Sequence, residues 1–341
     1  MKNEKIITNG SFGAQVLIVD GLPGCGKTLL SQLVTTLKRV ELLSFSYEAE
    51  WICAAASISK IEMNAAQHLI NMLFDLKIYN QTMGRDVNFR RHDQSSAYAY
   101  PNPGVYFERL FTKGDEAVPG IISKEQPILN LALHNILSYA EPIFKALENR
   151  LTYIHVVRHP VFMLEQQALN FKNNIYNPRD FSVYYETKYG AVPYFAGECA
   201  KLFINGNHYE KAIIFQKNII TREKNLKFKI DPRQYIQIPF EPFVLNPNPY
   251  FKKICTRLNT VQTKHTKSEF VNQKIPRLRI LDGIDLPIYR RCGWRPANKS
   301  ITEIEELNSM KENIYKHLSK SYQLILDELI EQYESEIWSP K

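Results

Sequence analysis

The eight residues from Gly21 to Thr28, with the sequence GLPGCGKT, constrain the fold of this chain more than any other segment. They satisfy the pattern GxxxxGK[ST], in which the backbone N–H groups of a glycine-rich loop surround a phosphate or a sulfate. The apolar run from Gln15 to Asp20 precedes the loop and is typical of a strand buried on both faces of a parallel sheet. Apolar residues recur at helical spacing from Leu29 to Leu37. We therefore predict a strand, an anion-binding loop and a helix.

Strands and helices alternate along much of the remaining chain. Apolar runs at residues 40–45, 127–133 and 153–157 predict three further strands, and the spacing of apolar residues between 136 and 147 predicts a helix that joins the last two. This alternation predicts an α/β fold, in which helices flank a P-loop-containing, doubly wound and mainly parallel sheet.

The C-terminal part of the chain has a weaker strand pattern and a strong helix pattern. Residues 212–215 and 235–240 are the weaker strand candidates. Residues Ser300 to Glu303 have the pattern of a capping box, and apolar residues then recur every three or four positions from Ile304 to Leu329. One long C-terminal helix is therefore expected. Because no linker or repeat interrupts the sequence, we expect a single domain that spans residues 1–341.

Three segments are expected to be insertions or loops. Residues 80–120 and 172–210 are rich in Tyr and Phe, and insertions of this kind form the walls of substrate pockets in α/β folds. Residues 259–299 are predicted to be a basic loop. Twelve basic and three acidic residues between Lys252 and Lys299 give a charge of +9, against +8 for the whole chain. This stretch therefore faces a nucleic acid, a membrane surface, a small anion or solvent.

The composition excludes several classes of protein. With 44% apolar, 12% aromatic and 23% charged residues, the chain resembles an ordinary globular protein and not a disordered or fibrous one. The five cysteines form no CxxC pair and have no metal-ligand spacing, which favours a reducing compartment. No run approaches the ~18 apolar residues of a membrane span. We therefore expect a cytoplasmic protein without a membrane span or a metal centre.

A second anion-binding motif follows the strand at 153–157, which ends in Arg158, His159 and Pro160. In many NTPases, the end of the strand beside the loop carries a carboxylate that binds Mg²⁺. A guanidinium at this position can instead form two hydrogen bonds to a phosphate, and Pro160 is well suited to open a helix. We therefore expect one nucleotide to bridge the anion-binding loop and Arg158.

The loop and the second motif together resemble the family of sulfotransferases that use 3′-phosphoadenylyl sulfate (PAPS). In this family, the loop binds the 5′-phosphosulfate, and an arginine in a strand–Arg–x–Pro–helix motif binds the 3′-phosphate. His134 ends the strand at 127–133, twenty-four residues before Arg158, where the family has its general base. The segment from Ile238 to Glu241 is similar to a strand and acidic residue late in the family's domain. The resemblance covers residues 15–258.

The resemblance implies which residues form the site. His134 would accept a proton from a hydroxyl or amine acceptor, and Lys27 would stabilise the transferred sulfuryl group. Gln166 stands where the family places a serine on the 3′-phosphate, and Leu29 where many members stack an aromatic residue on the adenine. Arg277 lies in the stretch that folds over the nucleotide. The residues expected to bind the nucleotide are Gly21, Leu22, Pro23, Gly24, Cys25, Gly26, Lys27, Thr28, Leu29, Arg158, Gln166 and Arg277.

Two other functions remain as alternatives. Lys27 and Thr28 are typical of an ATP-dependent kinase, in which Thr28 would bind Mg²⁺, although Asp20 precedes the loop and does not face it across the sheet. A non-enzymatic protein would bind a nucleotide or a nucleic acid through the basic stretch. That stretch has no RNA-binding signature, so no nucleic acid is expected as a partner. Cys25, in the loop at a helix start, is expected to have a lowered thiol pKa.

Overall fold

A five-stranded parallel sheet forms the centre of the computed structural model, which describes residues 5–227, 229–285, 287–291 and 293–340. The order across the sheet is β2-β3-β1-β4-β7, and each neighbouring pair is parallel. The antiparallel pair β5 and β6 forms a separate two-stranded sheet. The strands are β1 (Gln15–Asp20), β2 (Ser44–Phe45), β3 (Ile128–Ala132), β4 (Leu151–Val157), β5 (Tyr184–Thr187), β6 (Gly190–Pro193) and β7 (Tyr235–Pro239).

Helices flank the sheet in two groups. One group contains α2, α3, α5 and α6, and the other contains α7, α9, α14 and α15. The predicted α/β fold with a mainly parallel sheet is therefore confirmed. The helices are α1 (Lys27–Val34), α2 (Tyr47–Ser57), α3 (Met63–Met83), α4 (Gly104–Arg109), α5 (Val118–Glu125), α6 (Glu141–Leu147), α7 (Pro160–Asn173), α8 (Ala200–Asn205), α9 (His208–Lys227), α10 (Phe240–Leu245), α11 (Asn248–Arg257), α12 (Lys264–Asn272), α13 (Pro287–Arg291), α14 (Glu303–Tyr315) and α15 (Lys320–Glu336). Short 3₁₀ helices span Ala97–Ala99, Leu137–Tyr139, Glu148–Arg150, Tyr194–Cys199 and Pro232–Gln234.

The central strand β1 is buried on both faces. Its residues from Val16 to Val19 are at most 1% exposed, because β3 and β4 pair with its two edges and helices cover its faces. Each fully buried aliphatic side chain contributes about 1.5–3 kcal/mol of hydrophobic free energy. The register places Val19 beside Ala132 and Asp20 beside His155. The carboxyl ends of β1, β3 and β4 therefore meet at one edge of the sheet.

The strand predicted at residues 212–215 is wrong. These residues belong to α9, which buries Gln216 and Ile219 as well and packs against α7 and α15. An apolar run of four residues does not distinguish a strand from the buried face of a helix. The strand predicted at 40–45 is shortened to β2, although Val40 still forms an isolated parallel bridge with Ile128.

The basic stretch at 259–299 was predicted to be a loop. The structure corrects this prediction, because the stretch contains α12 and α13. Helix α12 begins with a capping box between Thr263 and Thr266, and Thr266 also bonds to Thr36. That cap uses threonine instead of Glu or Gln at its fourth position, so the usual sequence pattern does not indicate it. Leu286 and Cys292 of this stretch lie outside the described residues.

The single C-terminal helix that we predicted is two helices, α14 and α15, with a turn at residues 316–319 between them. Ser319 is the N-cap of α15 and breaks the helix without interrupting the apolar spacing, because Leu318 remains buried in the turn. The capping box joins Thr302 and Glu305 and lies two residues after the predicted one. No helix in the described ranges has the length and apolar character needed to cross a bilayer.

Candidate functional site

Glycine is required at both ends of the anion-binding loop (Gly21–Thr28). Gly21 has φ +152° and Gly26 has φ +95°, in the region that side chains disfavour. A Cβ on Gly21 would overlap the carbonyl oxygen of Val156, and a Cβ on Gly26 would overlap the ring of Phe240. The loop therefore lies directly against the end of β4 and the start of α10.

The start of α1 presents unpaired donors and positive charge. Gly26 is the N-cap, no side chain caps the helix, and its first turn contains no acidic residue. In the part of the chain that the structure describes, no backbone acceptor bonds to the N–H groups of Gly26 and Thr28. The Lys27 Nζ donates a hydrogen bond of 2.7 Å to the carbonyl oxygen of Gly21, across the loop. Such a helix start attracts an anion.

The guanidinium of Arg158 contacts the anion-binding loop. Its Nη1 donates a hydrogen bond of 2.8 Å to the carbonyl oxygen of Gly24, and its Cζ lies 4.3 Å from the ring centre of Phe240. Its Nε is buried and has no hydrogen-bond partner within the described ranges. Burial lowers the pKa of Arg158, an effect that the nearby carboxylate of Glu241 opposes. The two motifs predicted from the sequence therefore lie together.

Arg277 lies on the same aromatic ring as Arg158. Its Cζ is 5.5 Å from the ring centre of Phe240, and its Nη1 donates to the carbonyl oxygen of Ile280 at 2.8 Å. Burial and the positive charge of Arg158 lower the pKa of Arg277 to about 10. Among the described residues, neither guanidinium forms an ion pair with a carboxylate, and the Nε of Arg277 has no hydrogen-bond partner. Two buried guanidiniums beside the loop, neither in direct contact with a carboxylate among the described residues, favour a second anionic group.

The remaining predicted nucleotide-binding residues differ in position. The Oε1 of Gln166 lies 3.3 Å from the position of a Cβ on Gly24, so this side chain reaches the loop. The neighbouring Gln167 donates to the carbonyl oxygen of Pro23 at 3.0 Å and holds the loop against α7. Leu22 and Leu29 are 5% and 6% exposed and belong to the hydrophobic core. These two leucines therefore anchor the loop in the hydrophobic core and expose little surface to a ligand.

The expectation of a lowered thiol pKa for Cys25 is wrong. The side chain is fully buried, and its Sγ lies close to Gly21 on the inner side of the loop. Burial raises the pKa of Cys25 to about 11, although Lys27 and Arg158 act in the opposite direction. The loss of solvation exceeds the attraction of the nearby cations, so the thiol remains protonated near neutral pH.

His134 follows β3 and lies between two aromatic rings. The rings of Phe45 and Tyr47 stack on its imidazole with centroid distances of 5.6 and 5.4 Å. One oxygen of Glu50, on α2, lies 2.9 Å from Nδ1 of His134 and accepts its backbone N–H at 3.0 Å. The carboxylate is 13% exposed and the imidazole 35%. This contact favours the tautomer with the proton on Nδ1, which leaves Nε2 free to accept a proton.

A cavity of 250 Å³ borders His134 and Glu50. Pro23 of the anion-binding loop lines it on one side, and about half of its lining residues lie between 174 and 195. Trp51 Nε1 donates a hydrogen bond of 2.7 Å to the carbonyl oxygen of Phe181, which ties α2 to this segment. The imidazole, the loop and the 172–210 segment therefore share one cavity. Its aromatic lining residues are Tyr47, Trp51, Phe171, Phe181, Tyr184, Tyr194, Phe195 and Phe215.

The 80–120 segment lies elsewhere. It contributes Gln81, Asp86, Asn88 and Ser95 to a second cavity and no residue to the cavity beside His134. Phe45 lines this second cavity while its ring stacks on His134. Residues 80–120 and 172–210, both predicted to be walls of one substrate pocket, therefore line different cavities.

Asp20, the acidic residue closest to the loop, has a structural role. Its Oδ2 accepts hydrogen bonds from the N–H groups of Ile136 and Leu137, both at 2.9 Å, and from the hydroxyl of Tyr153 at 2.6 Å. These bonds join the end of β1 to the turn after His134. Across the described ranges, no three His, Cys, Asp or Glu side chains form a group that could hold a metal ion.

Sequence comparisons identify no relatives. A scan against models of protein families found no match, and a search of curated proteins found none either.

Several solved structures that this chain matches are sulfotransferases. The sulfotransferase domain from the Synechococcus PCC 7002 olefin synthase shares 13% identity, with 97% of this chain and 98% of that chain covered and a TM-score of 0.41. The sulfotransferase domain from the curacin biosynthetic pathway also shares 13% identity, with 97% and 100% covered and a TM-score of 0.42. A mouse sulfotransferase complexed with PAP shares 10% identity, with 96% and 86% covered and a TM-score of 0.39. Because the sequence identities and TM-scores are low, the function proposed below rests on the geometry of the site.

Proposed function

We propose that this chain is a sulfotransferase that uses PAPS and transfers its sulfuryl group to a hydroxyl or amine acceptor. The observation that carries the proposal is the arginine pair, Arg158 and Arg277, which shares the ring of Phe240 beside the anion-binding loop. A donor nucleotide with a phosphosulfate and a separate 3′-phosphate would place the phosphosulfate at the loop and the 3′-phosphate at the arginine pair.

The residues of the site fit such a nucleotide. The N–H groups at the start of α1 and the Lys27 ammonium would hold the 5′-phosphosulfate. Arg158 and Arg277 would hold the 3′-phosphate, since each has a buried Nε without a hydrogen-bond partner in the described ranges. Gln166 is close enough to the loop to add an amide donor.

The bound donor would supply an activated sulfuryl group, whose transfer requires positioning and charge stabilisation more than covalent catalysis. The Nε2 of His134 would accept the proton of the acceptor hydroxyl or amine. Glu50 would fix the imidazole tautomer through Nδ1 and stabilise the imidazolium that forms. Lys27, held across the loop by the carbonyl of Gly21, would contribute positive charge beside the transferred group. The aromatic cavity would bind the acceptor.

The proposal is tested by thermal unfolding with adenosine 3′,5′-bisphosphate and no Mg²⁺. A ligand at a hundredfold excess over its Kd stabilises the folded state by about 2.7 kcal/mol. Arg158→Ala should abolish most of this stabilisation, whereas Arg233→Ala, an exposed arginine paired with Asp231, should not change it. His134→Ala should retain the stabilisation and lose sulfuryl transfer. A bisphosphate response that is unchanged in Arg158→Ala would contradict the proposed 3′-phosphate site.

The kinase alternative predicts a different response in the same assay. A kinase would be stabilised by ATP with Mg²⁺ and would ignore the bisphosphate. The surroundings of the loop argue against a kinase, since Oδ2 of Asp20 accepts three hydrogen bonds and a guanidinium stands at the end of β4.

A further inference from the structure

The carboxylate of Glu241 joins three elements next to the arginine pair. Glu241 lies at the start of α10 and is fully buried. Its Oε1 accepts a hydrogen bond of 2.9 Å from the backbone N–H of His159, the N-cap of α7. Its Oε2 accepts a hydrogen bond of 2.5 Å from the hydroxyl of Tyr333, near the end of α15. The C-terminal helix therefore bonds to the carboxylate that holds the residue after Arg158.

Helix α15 makes a second contact with the same residue. The Oε1 of Glu334 lies 3.2 Å from Nε2 of His159, and the ring of Tyr333 packs edge-on against the His159 imidazole with a centroid distance of 5.5 Å. His159 is 1% exposed. Two consecutive residues of α15 thus enclose the turn between β4 and α7.

This turn and Phe240 together set the direction of Arg158. The guanidinium has a carbonyl partner in Gly24 and an aromatic platform in Phe240, which directly precedes Glu241. One carboxylate therefore bonds to the backbone next to Arg158 and belongs to the residue that follows its aromatic platform. A guanidinium placed in this way is preorganised for a phosphate.

Loss of the Tyr333 hydroxyl would disturb this arrangement in a defined way. Burial raises the pKa of Glu241, whereas Arg158 and the hydrogen bonds from Tyr333 and His159 lower it. Without the hydroxyl, Oε2 would be buried without a donor, which is costly. The carboxylate would then turn toward the cation beside it, and an ion pair between Glu241 and Arg158 would compete with the phosphate for the guanidinium.

We propose that Tyr333 is a positioning residue for the 3′-phosphate site, because its hydroxyl occupies Oε2 of Glu241 while Oε1 of the same carboxylate accepts the His159 backbone N–H. The inference rests on the proposed function, which assigns the 3′-phosphate to Arg158. It extends the nucleotide site to the last turns of the C-terminal helix.

The experiment compares the dissociation constants of adenosine 3′,5′-bisphosphate and adenosine 5′-monophosphate, measured by calorimetry. The ratio of the two constants isolates the contribution of the 3′-phosphate. In Tyr333→Phe, we expect bisphosphate binding to weaken about tenfold, the size of one hydrogen bond to a charged group, with monophosphate binding unchanged. The matched control is Tyr209→Phe, which removes a 2.8 Å hydrogen bond to Glu165 on α7 and should change neither constant.

The outcomes separate this inference from the proposed function. If the wild-type protein binds both nucleotides equally, the proposed 3′-phosphate site fails and the role of Tyr333 fails with it. If the wild-type protein prefers the bisphosphate and Tyr333→Phe keeps that preference, or loses both ligands alike, only the role of Tyr333 is overturned. If Tyr333→Phe does not fold, the same ratio is measured in Tyr333→Leu, which also removes the hydroxyl that bonds to Glu241. An unchanged preference for the bisphosphate in that variant also overturns the inference.

Discussion

Glu50 offers a sharp test of how the imidazole of His134 is held. The substitution Glu50→Gln keeps the shape of the side chain and removes its charge. One carboxylate oxygen of Glu50 now contacts both the backbone N–H and Nδ1 of His134. The glutamine can present its amide oxygen to this pair, but it cannot stabilise the imidazolium that forms when His134 accepts a proton. Sulfuryl transfer should therefore slow while the nucleotide site remains intact.

The size of the effect follows from the exposure of the two side chains. A hydrogen bond to a charged group contributes about 1.5–3 kcal/mol, and the larger values belong to buried groups. Glu50 is 13% exposed, but His134 is 35% exposed and partly solvated. We therefore expect the lower part of this range, about 1.5–2 kcal/mol, which corresponds to a decrease in kcat of roughly 10- to 30-fold. The KM for the donor nucleotide should remain unchanged.

The assay is steady-state transfer from sulfur-labelled PAPS, with Glu48→Gln as the matched control. Glu48 lies on the same turn of α2, pairs with Lys77 at 3.5 Å and is 49% exposed. Its substitution should leave kcat within a factor of two of the wild type. Equal kcat values for Glu50→Gln and the wild type, in an enzyme that His134→Ala inactivates, would refute the role assigned to the carboxylate.

Two further predictions concern the anion-binding loop. Gly26→Ala should destabilise the fold, because the left-handed backbone alone costs about 1–2 kcal/mol and the new Cβ must displace Phe240 from beneath the arginine pair. Urea unfolding measures the loss of stability. The control is Gly120→Ala, at an open helical position, which should gain up to about 1 kcal/mol of stability. Equal stability of the two variants would contradict the packing argument. Cys25, with a pKa of about 11, should react with iodoacetamide at pH 8 more slowly than the half-buried Cys255 and should accelerate as the pH rises. Peptide mass spectrometry follows both thiols, and a Cys25 that is labelled first would show that the loop opens.

The sequence predicts the glycine-rich loop between β1 and α1 and the parallel sheet well, because both depend on local patterns. The glycines that require positive φ stand directly between an apolar strand and an amphipathic helix. Arg158 is found in the same way, as the residue that follows the apolar run at 153–157. Parallel strands share one carboxyl edge, so the proximity of Arg158 to the loop follows from the topology alone.

The contacts that complete the site depend on long-range packing. Glu50 is 84 residues from His134, and Tyr333 is 92 residues from Glu241. Neither has a motif around it, and an acidic residue in the first turn of a helix has an ordinary explanation in the helix dipole. The strand error at 212–215 has the same origin, since only the tertiary environment decides whether a short apolar run is extended or helical.

The small hairpin of β5 and β6 is separate from the central sheet, at whose end the loop and Arg158 lie. Its surroundings supply much of the cavity wall, whereas the loop and Arg158 lie at the end of the central sheet. In the proposed enzyme, acceptor selection and donor binding would therefore depend on different parts of the fold. Exchanging the hairpin for another sequence would then change the acceptor and leave the donor site intact.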